Sequence, residues 1–162
     1  MNAVQSIKET ALHELEVGFR SIEGLLKKLK KGDLPYRPAE NMRSIKELIA
    51  HLIAIPEVDL AIMQEHPADH IRALEQKYEA LATAEDKVKQ MYSGFEQYKA
   101  YVISLSDQDF LTKKTAPFYL ETGSTQIQWL MEVVTHVFHH RAQLFTYMKQ
   151  SGYDIDMFDL YV

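Results

Sequence analysis

Apolar residues return at helical spacing along most of the chain. Between residues 3 and 31, Val4, Ile7, Ala11, Leu15, Ile22, Leu26 and Leu29 form one stripe. Lys27, Lys28, Lys30 and Lys31 crowd its end and Gly32 follows. Cations in a last turn and a glycine after it suit a helix C-terminus, so the spacing predicts a first helix over 3–31. Pro35 and Pro38 make 33–43 a connection. Ser44 with Glu47 three residues later is a capping box that opens a second helix. That helix carries Ile45, Leu48, Ile49, Leu52, Ile55, Leu60, Ile62 and Met63, with a kink expected at Pro56 and an end at Pro67.

Residues 68–82 read as a shorter, more polar helix. Thr83 caps a third long helix to about residue 104, whose stripe is Met91, Tyr92, Phe95, Tyr98, Val102 and Leu105. Ser106 marks another cap before a short turn. Residues 111–123 are the least helical: Thr115, Pro117 and Gly123 break the pattern, and Phe118-Tyr119-Leu120 suits extended chain. Thr125 with Gln128 opens the fourth helix, which runs to about Gln150 and stops at Ser151-Gly152. The tail, Tyr153 to Val162, is apolar enough to dock on the body. The expected fold is all-α: a four-helix bundle with a helical excursion between helices two and three, in a single domain over 1–162.

Composition narrows the chemistry. Six glycines and five prolines in 162 residues leave room for long uninterrupted helices. The absence of cysteine removes disulfides, thiolate metal sites and cysteine nucleophiles, and fits a reducing cytoplasm. A net charge of −5 argues against a nucleic-acid partner, because duplex affinity rests on Lys and Arg contacts to phosphate. There is no apolar core of signal-peptide type at the N-terminus, and no apolar run long enough to span a membrane. What stands out is seven histidines.

His136-Val137-Phe138-His139-His140 lies inside the fourth helix. Residues four apart share a face, so His136 and His140 can reach one ion. On a helical wheel they flank the apolar arc at about 180° and about 220°, while His139 falls on the opposite side at about 120°. His139 is therefore expected in solvent. Two imidazoles make a weak site, and His51 on the second helix, at the edge of its own apolar arc, is the candidate third ligand. His66 lies about 22 Å further along and is too far to share an ion with His51. His13 lies opposite the stripe of its helix, and His70 belongs to the polar excursion. Val137 stands where a zincin helix needs its glutamate, and none of the residues three before each histidine is the glutamate of a di-iron bundle. There is no phosphate loop or nucleophile elbow.

These features resemble the DinB/YfiT-like metal-dependent hydrolase family over nearly the whole chain. The marks are Tyr36-Arg37-Pro38, then Arg43-Ser44-Ile45-Lys46-Glu47-Leu48-Ile49-Ala50-His51, and above all His136-Val137-Phe138-His139-His140-Arg141-Ala142-Gln143-Leu144 with Gly152 beyond. Ala142 departs from the glycine common there. The resemblance implies a bundle with a three-histidine site for zinc or nickel, with His51, His136 and His140 as ligands. It also implies small-molecule chemistry in stress or detoxification. Relatives of this fold are implicated in metal-assisted transfer of low-molecular-weight thiols such as bacillithiol or mycothiol, which would arrive here as a cosubstrate. A homodimer is common among them.

Three neutral nitrogens leave a coordination position open, the arrangement of catalytic rather than structural sites. With no anionic ligand, such a site favours a thiolate or hydroxide as the fourth. The function expected is a thiol S-transferase or small-molecule hydrolase. The alternative is a non-catalytic metal-binding or damage-inducible interaction protein with a vestigial site. Glu132, Gln143 and Tyr147 share the wheel strip of the ligands, with Trp129. Glu132, four before His136, is placed either to accept its second N–H or to stand in solvent, and Gln143 and Tyr147 to bind substrate or pack. Arg141 falls inside the apolar arc and needs a partner, for which Asp59 is the candidate and an anionic substrate the alternative.

Overall fold

The computed structural model describes residues 2–161. Four long helices carry the core: α1 (Ala3–Lys28), α2 (Ile45–Met63), α4 (Ala84–Ser104) and α6 (Gln126–Gln150). Between them lie α3 (Ala68–Glu79) and α5 (Asp107–Thr112). β1 (Lys114–Thr115) pairs antiparallel with β2 (Ser124–Thr125), Lys114 opposite Thr125.

The long helices close a ring in which α2 packs on α4, α4 on α1, α1 on α6 and α6 on α2. Two of the three consecutive pairs are thus diagonal: α1 faces α2 across the core, and α4 faces α6, whereas α2 and α4 are neighbours. Short hairpin loops join neighbours, so diagonal pairs need long crossing connections. Residues 29–44 supply one, and α5 with the β1–β2 hairpin supplies the other. The ring encloses Leu15, Phe19, Ile22, Leu48, Leu52, Phe95, Tyr98, Leu130, Val137 and Leu144, all nearly free of solvent contact. At Gly18, α1 comes so close to α6 that an added Cβ would sit 3.1 Å from Val137 Cγ1. Lys8 is buried, and its Nζ donates to the Leu105 carbonyl just past the end of α4, where a cation suits the helix dipole.

Helix starts follow the sequence. Ser44 and Thr125 each form the full capping box, and Thr83 and Ser106 accept from the third residue of their helices. Helix ends are less obvious. The first helix stops at Lys28 because Leu29 turns to extended backbone and packs on the core, so Gly32 does not end it. The second helix does not run to Pro67. It stops at Met63, Glu65 takes a left-handed φ of 62°, and His66 N–H reaches back to the Ala61 carbonyl. That is a Schellman stop with glutamate in the slot glycine usually fills. Pro67 instead precedes the first residue of α3, and Pro56 sits inside an unbroken α2. The segment expected as extended, Phe118-Tyr119-Leu120, is the exposed turn of the hairpin; its strands flank it instead.

At the end of α6 the same stop uses Gly152, with φ 85°, and Tyr153 N–H bonds the Met148 carbonyl. Gly152→Ala is expected to lower the unfolding free energy by about 1 kcal/mol, because a Cβ disfavours this conformation. Urea titration checks this. The tail beyond it docks through both side chains and backbone: Tyr153 Oη donates to Asp33 and accepts from the Lys30 N–H, and Asp159 pairs with Lys28. Ser21 and Arg141 donate to the carbonyls of Asp159 and Leu160, and Lys149 to that of Ile155. Ile155 is buried, whereas Met157, Phe158 and Tyr161 face solvent. Val162, the last residue of the expected tail, lies outside the described residues.

Candidate metal centre

α2 and α6 are neighbours in the ring, and their facing edges bring His51, His136 and His140 together. His51 Nε2 lies 3.1 Å from His136 Nε2 and 3.0 Å from His140 Nε2. Four-residue spacing puts His136 and His140 one turn apart on α6, and the bundle contact sets His51 against both.

The outer nitrogens fix the chemistry of the inner ones. His136 Nδ1 donates to Asp59 Oδ2 at 2.9 Å, and His140 Nδ1 donates to Gln143 Oε1 at 2.7 Å. An ionised carboxylate and an amide oxygen can only accept, so each Nδ1 carries the hydrogen. In the neutral rings, both Nε2 lone pairs then point inward at His51. Two converging acceptors need a shared proton or a cation between them. With ligand bonds near 2.1 Å, nitrogens would lie about 3.4 Å apart in a tetrahedral site and about 3.0 Å apart at right angles. The observed 3.0 and 3.1 Å fit a divalent ion. The histidine cluster is therefore able to coordinate a metal.

Charge follows the same layout. Burial pushes the His51 imidazole down to about 3, helped by the nearby Arg43 charge and the other two rings. Burial, with the other imidazoles and Arg43, holds His140 at about 4 despite its bond to Gln143. His136 is raised: burial works against its charge, but the Asp59 hydrogen bond and the charges of Asp59 and Glu132 outweigh it. Burial also raises Asp59, opposed by His136. The Asp59–His136 pair holds its proton on Nδ1 while the carboxylate is ionised.

The remaining candidates fall differently. Gln143 leans back one turn onto His140, the direction side chains take on a helix. Tyr147 is buried, its ring edge-on to Tyr36 at 6.4 Å. Glu132 is exposed and acts on His136 only through its charge; the N–H assigned to it goes to Asp59. Arg141 does not meet Asp59. Its guanidinium stacks on Phe138 and Tyr161 and donates to the Leu160 carbonyl, anchoring the tail. His139 and His13 are exposed as expected, and His66 stacks on His70 away from the cluster.

Asp59 is what sequence reasoning missed. It sits at i+8 from His51 with Ile55 between, a one-face series on α2, and that spacing was the available signal. His51 and Asp59 also line a cleft of about 510 Å³. Its walls are the 37–43 connection, with Arg37, Met42 and Arg43, and α3, with Glu75 and Glu79. Glu57 fixes that α3 wall by accepting from Lys77, Tyr78 and Gln90. Burial and the charges of Glu132 and Asp59 raise the Tyr119 phenol in the hairpin turn. Trp129 Nε1 and Gln126 Nε2 both donate to Thr115 Oγ1 and tie the hairpin to α6. Among the described residues, no helix is long and apolar enough to cross a membrane.

Comparison with known proteins accords with this architecture. A DinB-family protein of Exiguobacterium sibiricum is 28% identical, covers 96% of this chain and 97% of its own, and superposes with a TM-score of 0.77. YfiT from Bacillus subtilis is described as a probable metal-dependent hydrolase with an unusual four-helix bundle topology. It is 17% identical over 95% of this chain and 91% of its own, with a TM-score of 0.71, a likeness of fold. A DinB-like protein from Bacillus cereus, 18% identical over 89% and 92%, gives 0.62. None of the curated proteins matches the sequence. The DinB family model spans residues 2–162, and the chain belongs to the DinB family.

Proposed function

We propose that this is a metal-dependent enzyme acting on a small molecule, either a low-molecular-weight-thiol S-transferase or a hydrolase, with His51, His136 and His140 as the ligands of zinc or nickel. The observation that carries the reading is the pair of inward lone pairs on His136 and His140, fixed by Asp59 and Gln143, opposite His51. When bound, a divalent ion supplies a Lewis-acid position open to a thiolate or a water. The description of YfiT as a probable metal-dependent hydrolase supports the same class.

The chain's own residues then have defined tasks. Asp59 holds the proton on His136 Nδ1 and keeps the ring turned inward. Gln143 does this for His140. The cleft lined by His51 and Asp59 would give a small molecule access to the cluster. One experiment decides the reading. Protein with about one ion per chain is given a thiol and monobromobimane. An S-transferase joins sulfur to the bimane carbon and releases bromide and a proton; a hydrolase instead cleaves nitrophenyl esters with water. Metal without turnover of either kind leaves a binding protein, and no metal ends the proposal.

Proton release tests the site's electrostatics. At pH 5.5, three ordinary histidines would together shed about 2.7 protons on binding an ion. Here His51 and His140, at about 3 and about 4, are already neutral, and only the raised His136 is charged. The expected release is about one proton per ion, and Asp59→Asn should lower it. Calorimetry in two buffers of different ionisation enthalpy measures the number; a value near 2.7 would contradict this assignment.

A further inference from the structure

Arg43 is the basic group of the cleft that the fold does not use. Its neighbour Arg37 is committed: it pairs with Glu47 and donates to the Met42 carbonyl, bracing the connection before α2. Arg43 lines the same cleft as His51 and Asp59, is exposed, and makes no hydrogen bond or ion pair with any other described residue. Its position is also unfavourable for structure. It directly precedes Ser44, the N-cap of α2, where the helix dipole disfavours a cation.

We propose that Arg43 is the anion-recognition residue of this cleft, holding the negative group of a small-molecule ligand beside His51, the histidine of the cluster that lines it. The inference rests on the metal reading above and deepens it by naming the ligand's charge. A planar guanidinium matches a carboxylate or similar oxyanion with paired N–H donors. The opposite wall restricts the ligand further. Glu75 and Glu79 lie four residues apart on α3 and face the cleft, and Glu40 lines it on the connection that carries Arg43, so a second negative charge away from Arg43 is repelled. The ligand class is a small molecule with its negative charge at one end.

Cobalt(II)-loaded protein reports this directly, because its visible bands shift when a ligand joins the ion. Acetate is titrated into wild type, Arg43→Ala and Arg43→Lys, with imidazole as a neutral ligand. Arg43→Ala should keep its cobalt, weaken acetate about tenfold and leave imidazole unchanged, with Arg43→Lys between the two. Unchanged acetate affinity in a cobalt-loaded Arg43→Ala overturns the role of Arg43 while the metal centre stands. Equal weakening of acetate and imidazole also overturns it. Failure of wild type to take up cobalt removes the metal reading and this inference together.

Discussion

His51→Ala is expected to abolish stoichiometric metal binding while leaving the fold intact. His51 is the ligand that links the two helices; without it, His136 and His140 remain as a pair on one helix face. Loss of a group outside the coordination sphere weakens metal affinity by about 10- to 100-fold, so loss of a ligand should exceed about 100-fold. Elemental analysis after gel filtration should show about one ion per chain in wild type and in His139→Ala, whose ring is exposed, and almost none in His51→Ala. Full retention of metal in His51→Ala would refute the assignment. The metal-free proteins sharpen the comparison. Burial and neighbouring charges hold His51 at about 3, so its proton affinity is lower folded than unfolded. A group of that kind stabilises the fold above its unfolded value of about 6.5, and the contribution fades as pH falls toward 3. Wild type should therefore lose stability relative to metal-free His51→Ala as pH drops from 7 to 4.

This site was legible because its geometry is mostly local. One helical turn fixes His136 against His140, and the apolar arc of α6 tells which of His136, His139 and His140 turns inward. His51 could be placed by the same reasoning on α2. Asp59 was equally visible by spacing, but in the sequence Arg141 competed for it. The competition was settled by the tail, whose Leu160 carbonyl and Tyr161 ring take the guanidinium. A ten-residue terminal segment that docks partly through backbone carbonyls has no side-chain periodicity to read. The helix ends were hidden for a related reason. Glu65 in a left-handed conformation breaks the expectation of glycine, and the same side chain accepts from Ala116 N–H, tying the hairpin to the end of α2. That contact is 51 positions away in sequence, beyond any local pattern. The diagonal placement of α1 against α2 and of α4 against α6 was likewise set by two long segments, one of which reads in the sequence only as a connection and the other only as the least helical stretch.

Phe19→Ala is expected to lower the unfolding free energy by about 3–5 kcal/mol, the range for a buried aromatic truncated in a core. Phe19 is 1% exposed, and its ring packs on Phe95 at a centroid distance of 4.9 Å and an interplanar angle of 54°. The pair joins α1 to α4, and the metal centre joins α2 to α6, so the two lie on different contacts of the helix ring. Domains of this kind hold about 5–15 kcal/mol in all, so the loss is a large share of the total. The ion should offset it without touching the cavity. A ligand that binds only the native state adds about 2.7 kcal/mol at 100 times its dissociation constant, whatever the mutation elsewhere. Metal should therefore stabilise wild type and Phe19→Ala equally, while His51→Ala gains nothing. Urea unfolding of the three proteins, with and without the ion, separates these contributions. If Phe19→Ala gained markedly less than wild type, the centre would depend on the α1–α4 contact, and the ring would be coupled across its core rather than built from independent pairs.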